Sequence, residues 1–347
     1  MPQTRAILGL VRLNFLSVKQ QYRIMTYRRN LILAALSAAA APLVFAQAPA
    51  FPNRPVKLVV TTAPGTGSDA IARMLESGMQ HALGQPVVVD NRPGAGGALA
   101  MEQVARSTPD GYTVVMGAEG TLMVLPALNP NVKYRTAADF VPVAGLFRTA
   151  FVIVTANTPA APRTLADLIA RTKKEDLSYG SSGVGTITHL ASEMFIGRAG
   201  IKITHIPYKG AGQSLTDAIA GHVIMVTDTP PAVLPLVKAG KLRALAVLSP
   251  DRLASLPDVP TAQELGFPGL VAFGTWGLLA PAGTPANIVK TLSEAALKAA
   301  QSPEVQSKAK TLELEVVSLG PEAFGSYIKT YTPIWTEVIR KGNIRAE

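Results

Sequence analysis

Two glycine-rich stretches hold the residues whose types and spacing suit chemistry. In Leu58–Arg73 an apolar run (Leu58, Val59, Val60) is broken by Pro64, Gly65 and Gly67, after which Ile71, Met74 and Leu75 recur at helical spacing. Ser68 and Asp69 are good N-cap types. The pattern predicts strand, glycine turn, helix. The first N–H groups of such a helix lack internal partners and carry the positive end of its dipole, so the turn suits an anion. Pro64, Gly65, Thr66, Gly67, Ser68 and Asp69 are therefore candidate ligand contacts. Asp69 either caps the helix, which residue preference favours, or faces a ligand amine or hydroxyl. The turn lacks the Gly-Lys-Ser/Thr of a phosphate-binding loop and the G-x-G-x-x-G of a dinucleotide site. An ordinary tight βα turn is the plain alternative.

The second stretch, Tyr179–Phe195, reads YGSSGVGTITHLASEMF. Ser181, Ser182 and Thr186 offer hydroxyls, and Gly183 and Gly185 let the backbone approach a ligand closely. His189 follows on the helix, where a hydrogen-bonding structural role outweighs that of a base. A Ser–His hydrolase needs an orienting acid and a G-x-S-x-G elbow, and that spacing is absent. Asp228 closes a strand pattern, where it either meets ligand or caps the next helix. Thr121 follows another strand and is a further candidate donor, while Lys209 reads as a solvated lysine. Trp276 either lines a cleft or packs as core. The four histidines, His81, His189, His205 and His222, show no paired ligand spacing and there is no cysteine, so neither a metal nor a cofactor is expected.

The elements that must position these residues alternate along the chain. Strand and helix patterns repeat from Phe51, implying parallel sheets covered by helices. Phe140–Ala156 and Leu270–Leu279 are long extended apolar stretches that can carry the chain out of one sheet and back. A short helix is expected within the loop Pro250–Phe267, and terminal helices over Asn287–Ala300 and Pro321–Lys341. The resulting division is 1–48 leader, 49–150 and 270–347 lobe 1, and 151–269 lobe 2. An inserted α/β domain joined by two crossings makes a cleft, with the carboxyl ends of strands on both rims.

Composition sets the outer bounds. The 347 residues are 48% hydrophobic and 16% charged, enough for substantial cores. The net charge of +10 is misleading, because six of the 33 basic residues and no acidic ones fall in residues 1–50. The remaining excess has no basic stripe with interleaved aromatics, which argues against nucleic acid. Met25–Ala48 has the charged, apolar and small-residue regions of an export signal, and its apolar run is shorter than the roughly 20 residues a membrane span needs. The pair Arg28-Arg29 also suits a twin-arginine signal, and residues 1–24 precede a second Met without organisation of their own.

Several segments together resemble the receptor family of tripartite tricarboxylate transporters, the extracytoplasmic solute receptors also called Bug proteins. They are GQPVVVDNRPGAGG (84–97), PDGYTVVMG (109–117), SSGVGTITHLASEMF (181–195), THIPYKGAG (204–212), KAGKLRALAV (238–247), LPDVPTAQELGFPG (256–269) and WGLLAPAGTP (276–285). The similarity runs from about Phe51 to Lys341. It implies an α/β, two-lobed periplasmic-binding-protein-like (type II) fold, two doubly wound sheets flanking a closing cleft. It implies a small organic acid as ligand: a dicarboxylate or tricarboxylate, an amino acid or an aromatic acid. In the family the carboxylate is held by backbone amides and waters at the first glycine turn, here Pro64–Asp69. Ser181, Ser182, Gly183, Gly185, Thr186 and His189 resemble the opposing lobe's contribution, and Asp228 the acidic position after a strand.

The chain departs from the family pattern at Thr62, often aromatic, at Gly65-Thr66, often consecutive glycines, and at Val184, often polar. These changes suggest a more apolar pocket suited to an aromatic or branched acid, and Glu119 suggests a ligand amine. The resemblance further implies a periplasmic monomer that delivers its ligand to membrane permease subunits. An exported enzyme acting on an anion, or a ligand sensor for a membrane signalling partner, are the alternatives. No nucleophile–base–orienter set favours the enzyme.

Overall fold

The computed structural model describes residues 51–345. The expected export signal and the residues before it lie outside that range. The first sheet has six strands in the order β11-β4-β10-β3-β1-β2. These are β1 (Val56–Val60), β2 (Val87–Asn91), β3 (Thr113–Ala118), β4 (Phe140–Ala150), β10 (Phe273–Pro281) and β11 (Glu315–Leu319). The second has five, in the order β7-β6-β8-β5-β9. These are β5 (Val152–Ala156), β6 (Ser178–Ser181), β7 (Thr204–Pro207), β8 (Met225–Asp228) and β9 (Leu242–Val247). Nine helices of eight or more residues lie among the described residues. They are α1 (Gly67–Leu83), α2 (Ala98–Ala105), α3 (Leu165–Thr172), α4 (Ile187–Ala199), α5 (Ala211–Ala220), α6 (Pro230–Lys238), α7 (Ala286–Ala300), α8 (Pro303–Thr311) and α9 (Pro321–Lys341).

The chain leaves the first sheet at Ala150 and enters the second at Val152, with buried Phe151 between. It returns after β9, where the Ala272 amide donates to the Leu248 carbonyl (2.9 Å) just before β10. These crossings make both sheets mixed, not parallel as the strand–helix alternation predicts. β1 pairs in parallel with β2 and β3, but β10 runs antiparallel to β3 and β4. In the second sheet β6 pairs in parallel with β7 and β8, while β5 runs antiparallel to β8 and β9. A strand that enters from the other lobe must run against strands that belong to βα units of its own. The loop 250–267 holds turns and an isolated bridge, Val247–Thr261, rather than the expected short helix. Four prolines of the stretch and its ends (Pro250, Pro257, Pro260, Pro268) withhold amide donors that a helix would use.

The core follows the pleat. Val56, Leu58 and Val60 of β1 pack on one face with Leu75 and Met79 of α1 and Leu292 and Ala296 of α7. Val59 points to the other face, into a core that runs on through Phe151 to Tyr179, Leu190 and Phe195 around the second sheet. The far face of the second sheet buries Val152, Val154 and Val226 against Leu215 of α5 and Val233 of α6. The middle core is therefore shared by residues of both sheets, and Trp335 and Ile339 of α9 belong to it.

Candidate functional site

The first loop leaves β1 at Thr61 and enters α1 through Thr66, whose hydroxyl caps the helix by accepting from the Asp69 amide (3.5 Å). The cap is thus two residues earlier than Ser68, because Gly67 takes the first helical position. Asp69 in turn accepts from the Gly65 amide (2.9 Å), from Arg73 Nε (3.0 Å) and from Asn91 Nδ2 (3.0 Å). This is a capping-box arrangement displaced by one residue, with the acid reaching back to Gly65. Only 4% of Asp69 is exposed. The Gly65 amide first, then Arg73, hold its carboxyl below the usual carboxylate range. Both carboxylate oxygens are engaged by these donors, so Asp69 braces the loop. The Thr66 hydroxyl also donates to the Ala63 carbonyl (2.9 Å) and lies 2.5 Å from the Thr62 hydroxyl.

What the first loop leaves open is narrower. The amides of Gly67 and Ser68, the first two of α1, have no acceptor among the described residues. Ser68 Oγ accepts from the indole Nε1 of Trp276 (2.9 Å), which leaves the serine proton free to donate. Half-buried Trp276 therefore packs at the edge of the first sheet's core with its indole N–H turned to the loop. Pro64 and Gly65 sit at the exposed crest, Gly65 with φ +81°.

The second loop runs from Ser181 to α4, whose N-cap is Thr186. Much of it is bonded to itself. The Gly183 amide donates to Ser181 Oγ (3.2 Å), the Ser182 amide to Thr188 Oγ1 (3.2 Å) and the Thr186 hydroxyl to the Gly183 carbonyl (2.8 Å). The Gly185 amide donates to Nδ1 of His189 (3.0 Å), so this ring nitrogen accepts. Ser181 is fully buried, and its hydroxyl lies 2.7 Å from Nε2 of His205. The Ser181 hydroxyl is thus directed into the loop itself and to His205. The Thr121 hydroxyl likewise bonds locally, donating to the Ala118 carbonyl (3.0 Å) and accepting from the Ala118 amide (3.1 Å). The Ser182 hydroxyl and the Val184 amide have no partner among the described residues, and both residues are half-buried.

A ring stack lies behind this loop. The His189 and His205 imidazoles are 3.7 Å apart, and Tyr179 lies 4.9 Å from His205 on its own side. The Tyr179 hydroxyl donates to Glu193 of α4. Burial lowers both histidines, His205 to about 4 and His189 to about 3, with the neighbouring ring adding to the latter. Both rings are neutral at pH 7. His205 was not singled out from the sequence as a site residue. It lies in a strand of mixed type, and only its pairing opposite Tyr179 in β6 brings it to Ser181.

Three buried side-chain oxygens near strand ends lack any partner: Thr61 Oγ1 just after β1, and Thr227 Oγ1 and Asp228 Oδ2 in β8. Buried polar atoms are normally bonded, so each calls for a ligand or water. Asp228 Oδ1 accepts from the Thr229 amide (2.7 Å), but Oδ2 has nothing, and burial pushes the carboxyl up to about 6. Asp228 pairs across the sheet with Val152, at the first crossing between the lobes. Thr61 is pressed by Gly97 (φ +98°), where an added Cβ would come 3.0 Å from Thr61 Cβ and 2.6 Å from Thr121 Cγ2.

The lobes touch beside these groups. Leu128, in the helical turn Leu125–Leu128 that follows Thr121, packs on Gly185, where an added Cβ would stand 2.0 Å from Leu128 Cδ2. Val184 joins the same shared core. Glu119 does not serve a ligand amine. It is buried, accepts from Trp335 Nε1 (2.7 Å) and the Tyr327 hydroxyl (3.2 Å) of α9, and burial raises it to about 7. Among the described residues no three His, Asp or Glu side chains converge as a metal site. No described helix is long and apolar enough to cross a membrane.

Comparison with known proteins gives one family. Residues 71–344 match TctC, the tripartite tricarboxylate transporter family receptor. Protein BugT of Bordetella pertussis is 36% identical over 313 residues, covering 89% of this chain and 95% of its own. MatC of Rhodopseudomonas palustris, solved with bound malate, superposes with a TM-score of 0.71 at 31% identity, over 83% of this chain and 100% of that one. A second R. palustris protein, solved with adipate, gives 0.74 at 31% identity, over 85% and 99%. With its mixed α/β lobes and a match over most of its length, this chain belongs to the tripartite tricarboxylate transporter receptor family, the TctC or Bug solute-binding proteins.

Proposed function

We propose that this protein captures a small organic carboxylate between its lobes in the periplasm and delivers it to the membrane subunits of a tripartite transporter. The observation that carries this reading is the set of unpartnered polar groups at strand ends of both sheets: Thr61, Thr227 and Asp228. The Gly67 and Ser68 amides and the Ser68 proton would take one carboxylate, with waters completing its shell. The Ser182 hydroxyl and Val184 amide would approach from lobe 2, with Gly183, Gly185 and Thr186 shaping that loop. Asp228 would meet a hydroxyl, an ammonium or a water on the ligand. Relatives solved with malate and adipate support a carboxylate ligand.

In this reading the chain is a receptor and not an enzyme. Lobe 1 combines 49–150 with 270–347, lobe 2 is 151–269, and residues 1–48 are removed or precede export. The receptor acts as a monomer, since both lobes must present to the transporter. The test is a thermal-shift screen of the purified protein against malate, adipate, amino acids and aromatic acids. Ligand at 100 times its Kd adds about 2.7 kcal/mol. Stabilisation by one class that is reduced in Ser182→Ala supports the reading. A flat screen together with no co-purified acid in native mass spectrometry overturns it.

A further inference from the structure

Lobe 1 holds a cavity of about 770 Å³ that shares no lining residue with the two loops or with Asp228. It lies between a π-helical turn, Gly120–Val124, the turn Leu125–Leu128 that follows it, the start of β4 and one face of α9. Its size falls within the range of small-molecule sites, roughly 300–1,000 Å³. The walls are largely apolar: Leu122, Met123, Val132, Phe140, Ile328 and Pro333.

The polar side chains that reach it are mostly spent on the backbone. Thr136 donates to the Leu122 carbonyl (2.6 Å), Tyr134 to the Thr121 carbonyl (2.5 Å) and Thr332 to the Ile328 carbonyl (2.7 Å). The charged residues that line it are both cations, Arg135 and Lys329. Arg135 is paired with Asp139 at 3.3 Å, one turn away on its own segment. Lys329, exposed on α9, makes no ion pair among the described residues. The walls offer a dicarboxylate little to replace the water it would lose, so they disfavour ligands with two charged ends such as malate and adipate. They suit an apolar body, and the rim suits one negative head beside an uncompensated ammonium.

We propose that this cavity is a second ligand site, for an amphipathic monocarboxylate such as a medium-chain fatty acid. Its hydrocarbon lies on Met123, Phe140 and Ile328, and its carboxylate meets Lys329. The site is independent of the carboxylate reading of the loops. The turn Leu125–Leu128 has one face toward the cavity, through Pro126 and Ala127, and sets Leu128 against Gly185 of lobe 2.

The test uses the full chain with methyl-labelled methionine, titrated with decanoate below its micellar concentration, and with decanol as the neutral control. The expected result is saturable binding that shifts the Met123 methyl resonance. Affinity should fall at least tenfold in Lys329→Glu, a surface change that leaves the fold intact. Ala137→Trp, which adds bulk at an exposed lining residue, should abolish decanoate binding while leaving the malate or adipate response unchanged. No saturable binding, equal affinity for decanol and decanoate, or displacement of decanoate by malate would each overturn the proposal. A flat response to malate, adipate, amino acids and aromatic acids, with no co-purified acid, would instead sink the reading of the loops and leave this titration standing.

Discussion

The imidazole of His189 stacks on that of His205, with ring centroids 3.7 Å apart and planes 11° from parallel. One ring accepts from the Gly185 amide, and the other shares a hydrogen bond with Ser181. The pair therefore holds both ends of the second loop, and the bond from the Gly185 amide requires that Nδ1 of His189 be unprotonated. The folded-state values, about 3 and about 4, lie below the ordinary 6.5 because burial opposes the charged form.

That depression gives the pH dependence its sign. Below pH 6.5 the unfolded chain takes up protons that the folded chain refuses, so stability falls as pH drops from 6.5 toward 4 and 3. The loss by pH 4 is at most about 3 kcal/mol for each ring. Urea unfolding between pH 4 and 7.5 should show this slope, and His205→Phe, which keeps a stacking ring, should flatten it. An unchanged slope in that variant would remove His205 from the account.

Asp228 carries the opposite sign. Its folded-state value is about 6, above the ordinary 3.8, so the folded chain loses stability as pH rises through that interval. Asp228→Asn keeps an acceptor for the Thr229 amide and discards the buried charge. It should stabilise the unliganded protein at pH 7.5 by about 1–3 kcal/mol, read from denaturant midpoints, while weakening ligands that carry a hydroxyl or ammonium. Loss of stability in the variant would mean that the oxygen Oδ2 is already bonded, to water for instance.

Gly185→Ala strains the chain twice. The residue sits at φ +70°, and the new methyl would meet Leu128. The backbone part costs about 1–2 kcal/mol in either lobe arrangement. The collision is removed by Leu128→Ala, so the double variant should lose less stability than the two single changes summed. Simple additivity in a thermal or urea series would show that the lobes do not meet at this point in solution.

Asp69→Ala removes a carboxylate that holds Gly65, Arg73 and Asn91 together. A loss of about 1–3 kcal/mol is expected, with weaker ligand binding because the loop is no longer fixed. Asp69→Asn should recover part of both, since one oxygen remains to accept from the Gly65 amide. Equal losses for the two variants would make charge, and not loop bracing, the role of this residue.

The strand–glycine–helix units were legible because their signals are local. Glycine breaks the strand, a hydroxyl residue caps the helix, and apolar spacing changes period between them. The direction in which a hydroxyl points is not local. Ser181 and Ser182 are adjacent and chemically alike, yet the pleat turns Ser181 inward to His205, 24 residues away. Thr121 folds back on Ala118 for want of any signal that a pattern would reveal. Asp69 falls at the third helical position, three residues past the cap, because the helix already begins at Gly67. The antiparallel returns were missed for a related reason, since the direction of β5 and β10 is set by their crossing from the other sheet and not by local pattern. The edge strand β11 escaped because Glu315–Leu319 is short, half-exposed and interrupted by Ser318 at φ +48°.

The bond from Trp276 to Ser68 joins residues 208 apart in sequence and sets an indole on the first turn of α1. The chain has two tryptophans, and the other, Trp335, is buried with its indole bonded to Glu119. The protein thus carries its own optical gauge. One indole donates to the Ser68 oxygen whose free proton an arriving carboxylate would accept, so binding there would alter its emission. The other, on the buried face of the C-terminal helix, supplies the constant signal against which that change is read.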